Sequence, residues 1–339
     1  MIARRLLQHE AASRRALLRG LASSAGMLAL GGCAGLDAMG AGARLDTSAL
    51  AVNPTLLVAT TRKPVNGGRA KPWFGPERAS AMSIARAKLT PPEDGRFSLS
   101  SVGLRDWRLD AIEPVPEQAG ALLAQASGRD VLIYVHGFRQ TFETAALDAA
   151  RLADGIRFRG ETLVFSWPSR TGLFDYAHDR ESAMWSRDAF ERVLDSLVTS
   201  PTIGRVHIVA HSMGTMLALE SLRQLYARHG ETAADRIGAV VFASPDIDMD
   251  VFASSIPRIG PIARKITVIT AANDRALALA GRIAGGVTRV GTAEKASLER
   301  IGLRVIDASQ QGWGVINHDL FLSNVEVRQV IRRSVDGLG

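Results

Sequence analysis

From residue 55 onward, the apolar residues of this chain fall in short unbroken runs. The runs predict strands near Leu56–Thr60, Val131–Val135, Leu163–Phe165, Val206–Val209, Ala239–Phe242, Ile266–Ile269 and Leu303–Ile306. Continuous rather than alternating runs imply strands buried on both faces. Between most of them the apolar period lengthens to that of a helix, over Phe142–Gly155, Ser182–Val198, Met213–Arg228 and Val325–Arg333. Strand and helix in alternation predict an α/β fold, with a mostly parallel central sheet and helices on both faces. Residues 62–98 break the pattern: Gly67-Gly68, Pro72, Pro76 and Pro91-Pro92 are interleaved with Arg62, Lys63, Arg69, Lys71 and Arg78. That composition predicts a long loop or an irregular antiparallel edge.

Composition narrows the class. The chain has 339 residues, 46% of them hydrophobic, with a single Cys, which excludes a disordered chain or a disulfide framework. Its formal charge of +7 is concentrated at the front, and beyond residue 32 there remain 36 basic and 33 acidic residues. No block of like charge forms a nucleic-acid footprint, so no nucleic-acid partner is expected.

The first residues read as an address. Arg14-Arg15 precede a weakly apolar stretch, which ends in Leu30-Gly31-Gly32-Cys33. Cationic, apolar and small residues in that order make an export signal, and the apolar run is too short to span a bilayer. Paired arginines resemble a twin-arginine signal. Leu-Gly-Gly-Cys resembles the lipobox of bacterial lipoproteins, in which the Cys is acylated. Residues 1–32 are therefore expected to be a signal peptide and Cys33 a lipidation site. The Ala- and Gly-rich residues 33–54 are expected to form a flexible tether, with the catalytic domain at 55–339. The expected location is the periplasmic face of a bacterial membrane.

The candidate chemistry begins at Ala210-His211-Ser212-Met213-Gly214, where an apolar strand runs into a strong helix pattern. This is the strand–turn–helix setting of a nucleophile elbow, with Ala210 in place of the first Gly. A serine hydroxyl needs an adjacent base, and in such sheets the acid and then the histidine follow the serine in the chain. Only His229 and His318 follow Ser212. His229 ends the helix that starts at the elbow, some 25 Å away at about 1.5 Å per residue. His318 remains. The favoured acid is Asp274, after the strand at 266–269, with Asp246 one strand earlier as the alternative and Asp307 a weaker choice. Asp274 also suits the N-cap of an apolar helix. The strand at 131–135 ends in His136-Gly137-Phe138, so the backbone N–H groups of Phe138 and Met213 are the expected oxyanion donors.

Together these residues resemble the α/β-hydrolase superfamily. Val58-Ala59-Thr60-Thr61-Arg62, Val135-His136-Gly137-Phe138, Phe165-Ser166-Trp167-Pro168-Ser169 and Pro245-Asp246-Ile247-Asp248 resemble one bacterial branch known as an alpha/beta hydrolase of unknown function. The resemblance implies the α/β-hydrolase fold, and the short interval from Asp246 to Ile266 predicts no large lid domain. The expected activity is a serine esterase acting through an acyl-enzyme on a small-molecule or lipid-like ester, with no metal or cofactor. An acyltransferase or amidase using the same triad, or a noncatalytic envelope lipoprotein, are the alternatives. Trp167 and Phe174 are candidate pocket residues.

Overall fold

A computed structural model describes residues 55–92, 107–115, 126, 128–310 and 318–338. The expected signal peptide, Cys33 and the tether lie outside these residues. Nine strands form one sheet in the order β3-β2-β1-β5-β4-β6-β7-β8-β9. They are β1 (Thr55–Pro64), β2 (Phe74–Thr90), β3 (Arg108–Val115), β4 (Val131–Val135), β5 (Glu161–Ser166), β6 (Val206–His211), β7 (Ile237–Ala243), β8 (Ile266–Thr270) and β9 (Arg304–Asp307). From β1 to β9 every neighbouring pair is parallel. Only the β1–β2 and β2–β3 pairs are antiparallel. The irregular region at 62–98 therefore holds a long antiparallel strand, the second of the two forms expected there.

The helices are α1 (Phe142–Gly155), α2 (Tyr176–Trp185), α3 (Arg187–Thr199), α4 (Gly214–His229), α5 (Glu231–Arg236), α6 (Met249–Ser255), α7 (Arg275–Ile283), α8 (Lys295–Glu299), α9 (Leu320–Ser323) and α10 (Val325–Val335). The single helix expected over 182–198 is two, α2 and α3, meeting at Ser186. There the Ser186 hydroxyl bonds back to the Ser182 carbonyl, an interaction that bends helices.

Alternate residues of each central strand feed two cores. One face carries Leu57, Ile133, Val135, Phe165, Ile208 and Phe242 against α3 and α4. The other carries Val58, Leu132, Tyr134, Val164, Val209 and Val241 against α1 and α10. Burial on both faces is why these strands read as unbroken apolar runs. The fold is a mostly parallel α/β sheet with no large lid domain among the described residues. Among those residues no helix is long and apolar enough to cross a membrane.

Candidate active site

Strand order marks where a ligand would bind. After β4 the chain adds β5 on one side and then crosses to add β6 on the other. In open parallel sheets the space outside the carboxyl ends of such strands is where ligands bind. The register pairs Val135 with Ala210, so β4 and β6 end together. His136-Gly137-Phe138 and His211-Ser212-Met213 thus emerge side by side.

Ser212 has φ +51°, a left-handed conformation that costs a non-glycine residue roughly 1–3 kcal/mol. Its surroundings fix it there. Its N–H donates to the Ala243 carbonyl on β7, and its own carbonyl accepts from the N–H groups of Thr215 and Asp246. The Thr215 hydroxyl adds a bond to the same carbonyl. The small residues around it have steric causes. A Cβ on Gly214 would lie 2.3 Å from the His136 carbonyl oxygen. One on Gly137 would lie 2.9 Å from the Ser212 Cβ and 3.0 Å from His211 Nδ1. The strand-end loop and the elbow can approach this closely only because position 137 has no side chain.

Asp274 carries two loads. It is the N-cap of α7, with Oδ1 accepting from the Leu277 N–H at 3.1 Å. Its Oδ2 accepts from His318 Nδ1 at 2.7 Å. The carboxylate is buried, while the imidazole is part-exposed. With the proton held on Nδ1, Nε2 of His318 is left as the basic nitrogen. The capping role and the orienting role that sequence offered as alternatives are both filled, one by each oxygen.

His211, immediately before the serine, was not singled out in the sequence. Its Nε2–H donates to the His318 carbonyl at 2.9 Å, and the two rings pack with centroids 4.6 Å apart. Burial, and then the neighbouring His318 charge, hold its pKa well below the ordinary histidine value. His211 is thus a neutral side chain that ties the segment bearing His318 to the end of β6. Among the described residues Ser212 Oγ and His318 form no direct hydrogen bond, and the contact that His318 makes at the elbow is with His211.

Asp246 is committed elsewhere. Its Oδ2 accepts from the Tyr176 hydroxyl at 2.8 Å, and Arg289 Nε lies 3.1 Å from Oδ1, with both charged side chains buried. Burial, and then the Asp246 charge, push Tyr176 up to about 12. Asp307 accepts from the Ser309 N–H. His229 pairs with Asp195 at the far end of α4.

The loop after β4 is held by a second neutral histidine. Burial and the adjacent Arg62 charge lower His136 to about 3. Its Nδ1–H then donates to the Gly137 carbonyl at 2.8 Å, and Nε2 accepts from the Trp167 N–H at 3.1 Å. In a trans peptide the C=O and the following N–H point in opposite directions. Turning the Gly137 carbonyl toward His136 therefore turns the Phe138 N–H away from it. Neither that N–H nor the Met213 N–H donates to a backbone carbonyl among the described residues. Arg62 is buried, and its guanidinium reaches the Gln140 carbonyl at 2.6 Å, Ser166 Oγ at 2.8 Å and the Ser169 carbonyl at 3.2 Å. It pins this loop to the one after β5. Trp167 is not a pocket residue. It is buried, stacks on His136 at 4.7 Å and donates to the His136 carbonyl. Phe174 is fully exposed.

Residues 116–334 match the family described as an alpha/beta hydrolase of unknown function (DUF900). The chain belongs to this family. A curated relative, the uncharacterized protein alr1448 of Nostoc, is 25% identical over 128 residues, 30% of this chain and 33% of its own. The match thus spans about a third of that relative's length. Among solved structures, Est1E from Butyrivibrio proteoclasticus is similar at TM-score 0.41 and 10% identity, covering 76% of this chain and 95% of its own. A Pyrobaculum calidifontis esterase is similar at TM-score 0.37 and 13% identity, covering 85% and 87%. A cutinase-like protein from Cryptococcus is similar at TM-score 0.37 and 14% identity, covering 63% and 97%. Membership makes this an α/β-fold hydrolase, and its family carries no assigned substrate.

Proposed function

We propose that this hydrolase cleaves carboxylic esters through Ser212, His318 and Asp274. The observation that carries the proposal is the Asp274–His318 bond, with His318 packed on His211, the residue before a serine held at positive φ. Ser212 Oγ attacks the ester carbonyl carbon as Nε2 of His318 takes its proton. The carbonyl π electrons move to oxygen, and the N–H groups of Met213 and Phe138 receive the oxyanion. Each such donor is worth roughly a hundredfold or more in rate. Asp274 holds the imidazolium that forms. Collapse of the intermediate expels the alcohol, which takes its proton from His318. Water then gives a proton to Nε2 and attacks the acyl-serine, and the acid leaves as Ser212 regains its proton. None of these steps draws on a metal or cofactor.

The dedication of Asp246 to Arg289 and Tyr176 supports Asp274 as the acid. The test is turnover of an activated ester by Ser212→Ala. The rate should fall by about a millionfold if the three residues act as a unit. Unaltered turnover would remove the serine mechanism.

The address at the front completes the proposal: export, acylation of Cys33 and retention at the periplasmic face of a membrane. Cys33→Ser should move the protein from the membrane to the soluble fraction. An unchanged distribution would refute the acyl anchor.

A further inference from the structure

The face of α7 turned away from the core has an unusual composition for solvent. Residues 275, 279, 282 and 283 follow the i, i+4, i+7, i+8 spacing that shares one side of a helix. They are Arg275, Leu279, Arg282 and Ile283, and all four are exposed. Leu277, Ala280 and Gly281 form the buried side. Leu279 is 54% and Ile283 56% exposed, values foreign to aliphatic side chains that pack in a core.

The apolar surface continues off the helix. Gly285 and Gly286, at φ +92° and +84°, turn the chain back. The Gly286 N–H reaches the Gly281 carbonyl, so Val287 returns beside the helix, 37% exposed. The next residue, Thr288, accepts from the Met249 N–H at the start of α6. That helix carries Val251, 55% exposed. Isolated exposed aliphatics need no explanation, but four from adjoining segments make a patch.

Its charge selects the occupant. Residues 275–293 contain three arginines and no Asp or Glu. Arg289 is buried on Asp246, while Arg275 and Arg282 are exposed and form no ion pair among the described residues. Of the nearby acids on α6, Asp248 is occupied in capping that helix, and Asp250 stands beside Val251. Aliphatic side chains flanked by free arginines suit an anionic bilayer surface, which takes the former into its acyl boundary and the latter at its headgroups.

We propose that the patch of Val251, Leu279, Ile283 and Val287, flanked by Arg275 and Arg282, docks on the surface of an anionic phospholipid bilayer. The N-cap of the docking helix is Asp274, so that helix starts at the residue that holds His318. The inference does not depend on the ester chemistry or on acylation of Cys33, and its test reads neither.

The test is cosedimentation of the full chain carrying Cys33→Ser with vesicles of equal phosphatidylglycerol and phosphatidylcholine, and with phosphatidylcholine alone. Stronger binding to the anionic vesicles is expected. In the same background, Leu279→Asp with Ile283→Asp should weaken that binding about tenfold or more, because two inserting side chains become repelled charges. Arg275→Gln with Arg282→Gln should weaken the preference for anionic vesicles while leaving the circular dichroism spectrum unchanged. Equal vesicle binding by the Leu279→Asp/Ile283→Asp variant and its parent would overturn the proposal. So would a parent that binds neither vesicle, or one that instead dimerises through the patch in sedimentation velocity.

Discussion

Replacing Asp274 by Asn separates the two duties of that side chain. Oδ1 serves the Leu277 N–H and Oδ2 serves the His318 Nδ1–H. An amide has one acceptor oxygen for these two donors, and its NH2 group must face the other. If the oxygen stays with Leu277, the NH2 group faces Nδ1 and forces the imidazole proton onto Nε2. The base is then in the wrong tautomer, a change that costs about ten-thousandfold in a serine triad. If the oxygen turns to His318, the NH2 group faces the Leu277 N–H, and the cap is lost at a cost of about 1 kcal/mol. The rate then falls less. The expected result is the first, with kcat on an activated ester down about ten-thousandfold and the melting temperature nearly unchanged. Asp246→Asn should do the reverse. It leaves the buried Arg289 guanidinium without a counter-charge, which costs roughly 3–5 kcal/mol of stability, while turnover per folded molecule stays close to the parent's. Melting curves and active-site-normalised kinetics on both variants decide it. A rate lost in Asp246→Asn and kept in Asp274→Asn would refute the assignment of the acid.

Other consequences follow from the same contacts. Gly137→Ala should slow ester hydrolysis by about a hundredfold, because its methyl would push the Phe138 N–H from the nucleophile; unchanged kinetics would detach this loop from the oxyanion. His211→Phe keeps a ring beside His318 but loses the bond to its carbonyl, so kcat should fall while the melting temperature barely moves. Stability should drop on acidification below the ordinary histidine pKa. His136 titrates at about 3 when folded and near 6.5 when unfolded, so between these values the unfolded chain binds more protons. Its share of the loss from pH 7 to pH 5 is about 2 kcal/mol, with His211 adding in the same direction. Denaturant melts at the two pH values check this, and His136→Asn should flatten the difference.

Much of the central sheet was legible because its strands are buried on both faces. Val131–Val135 and Phe142–Gly155 have the bounds that their apolar patterns predict. The antiparallel wing was not. β2 is mostly exposed along its first half and carries Arg78, Arg86 and Lys88, and β3 contains Pro114, so neither presents an apolar run. In the candidate site, the sequence marked the residues that sit on element ends: Ser212, Asp274, His318 and the Gly137 loop. It did not mark His211, His136 or Arg62 as their supports. Those roles exist only through contacts such as Arg62 to Gln140, 78 residues apart, for which periodicity carries no signal. Trp167 shows the same limit. Its aromatic character suggested a pocket, and its partner turned out to be a histidine ring in the core.

The most direct measurement is the site of covalent labelling by a fluorophosphonate. One adduct is expected, located by peptide mass spectrometry on Ser212, formed quickly by the parent protein and at least a hundredfold more slowly after His318→Ala. Absence of label on a folded protein, or labelling whose rate ignores His318, would contradict the triad mechanism.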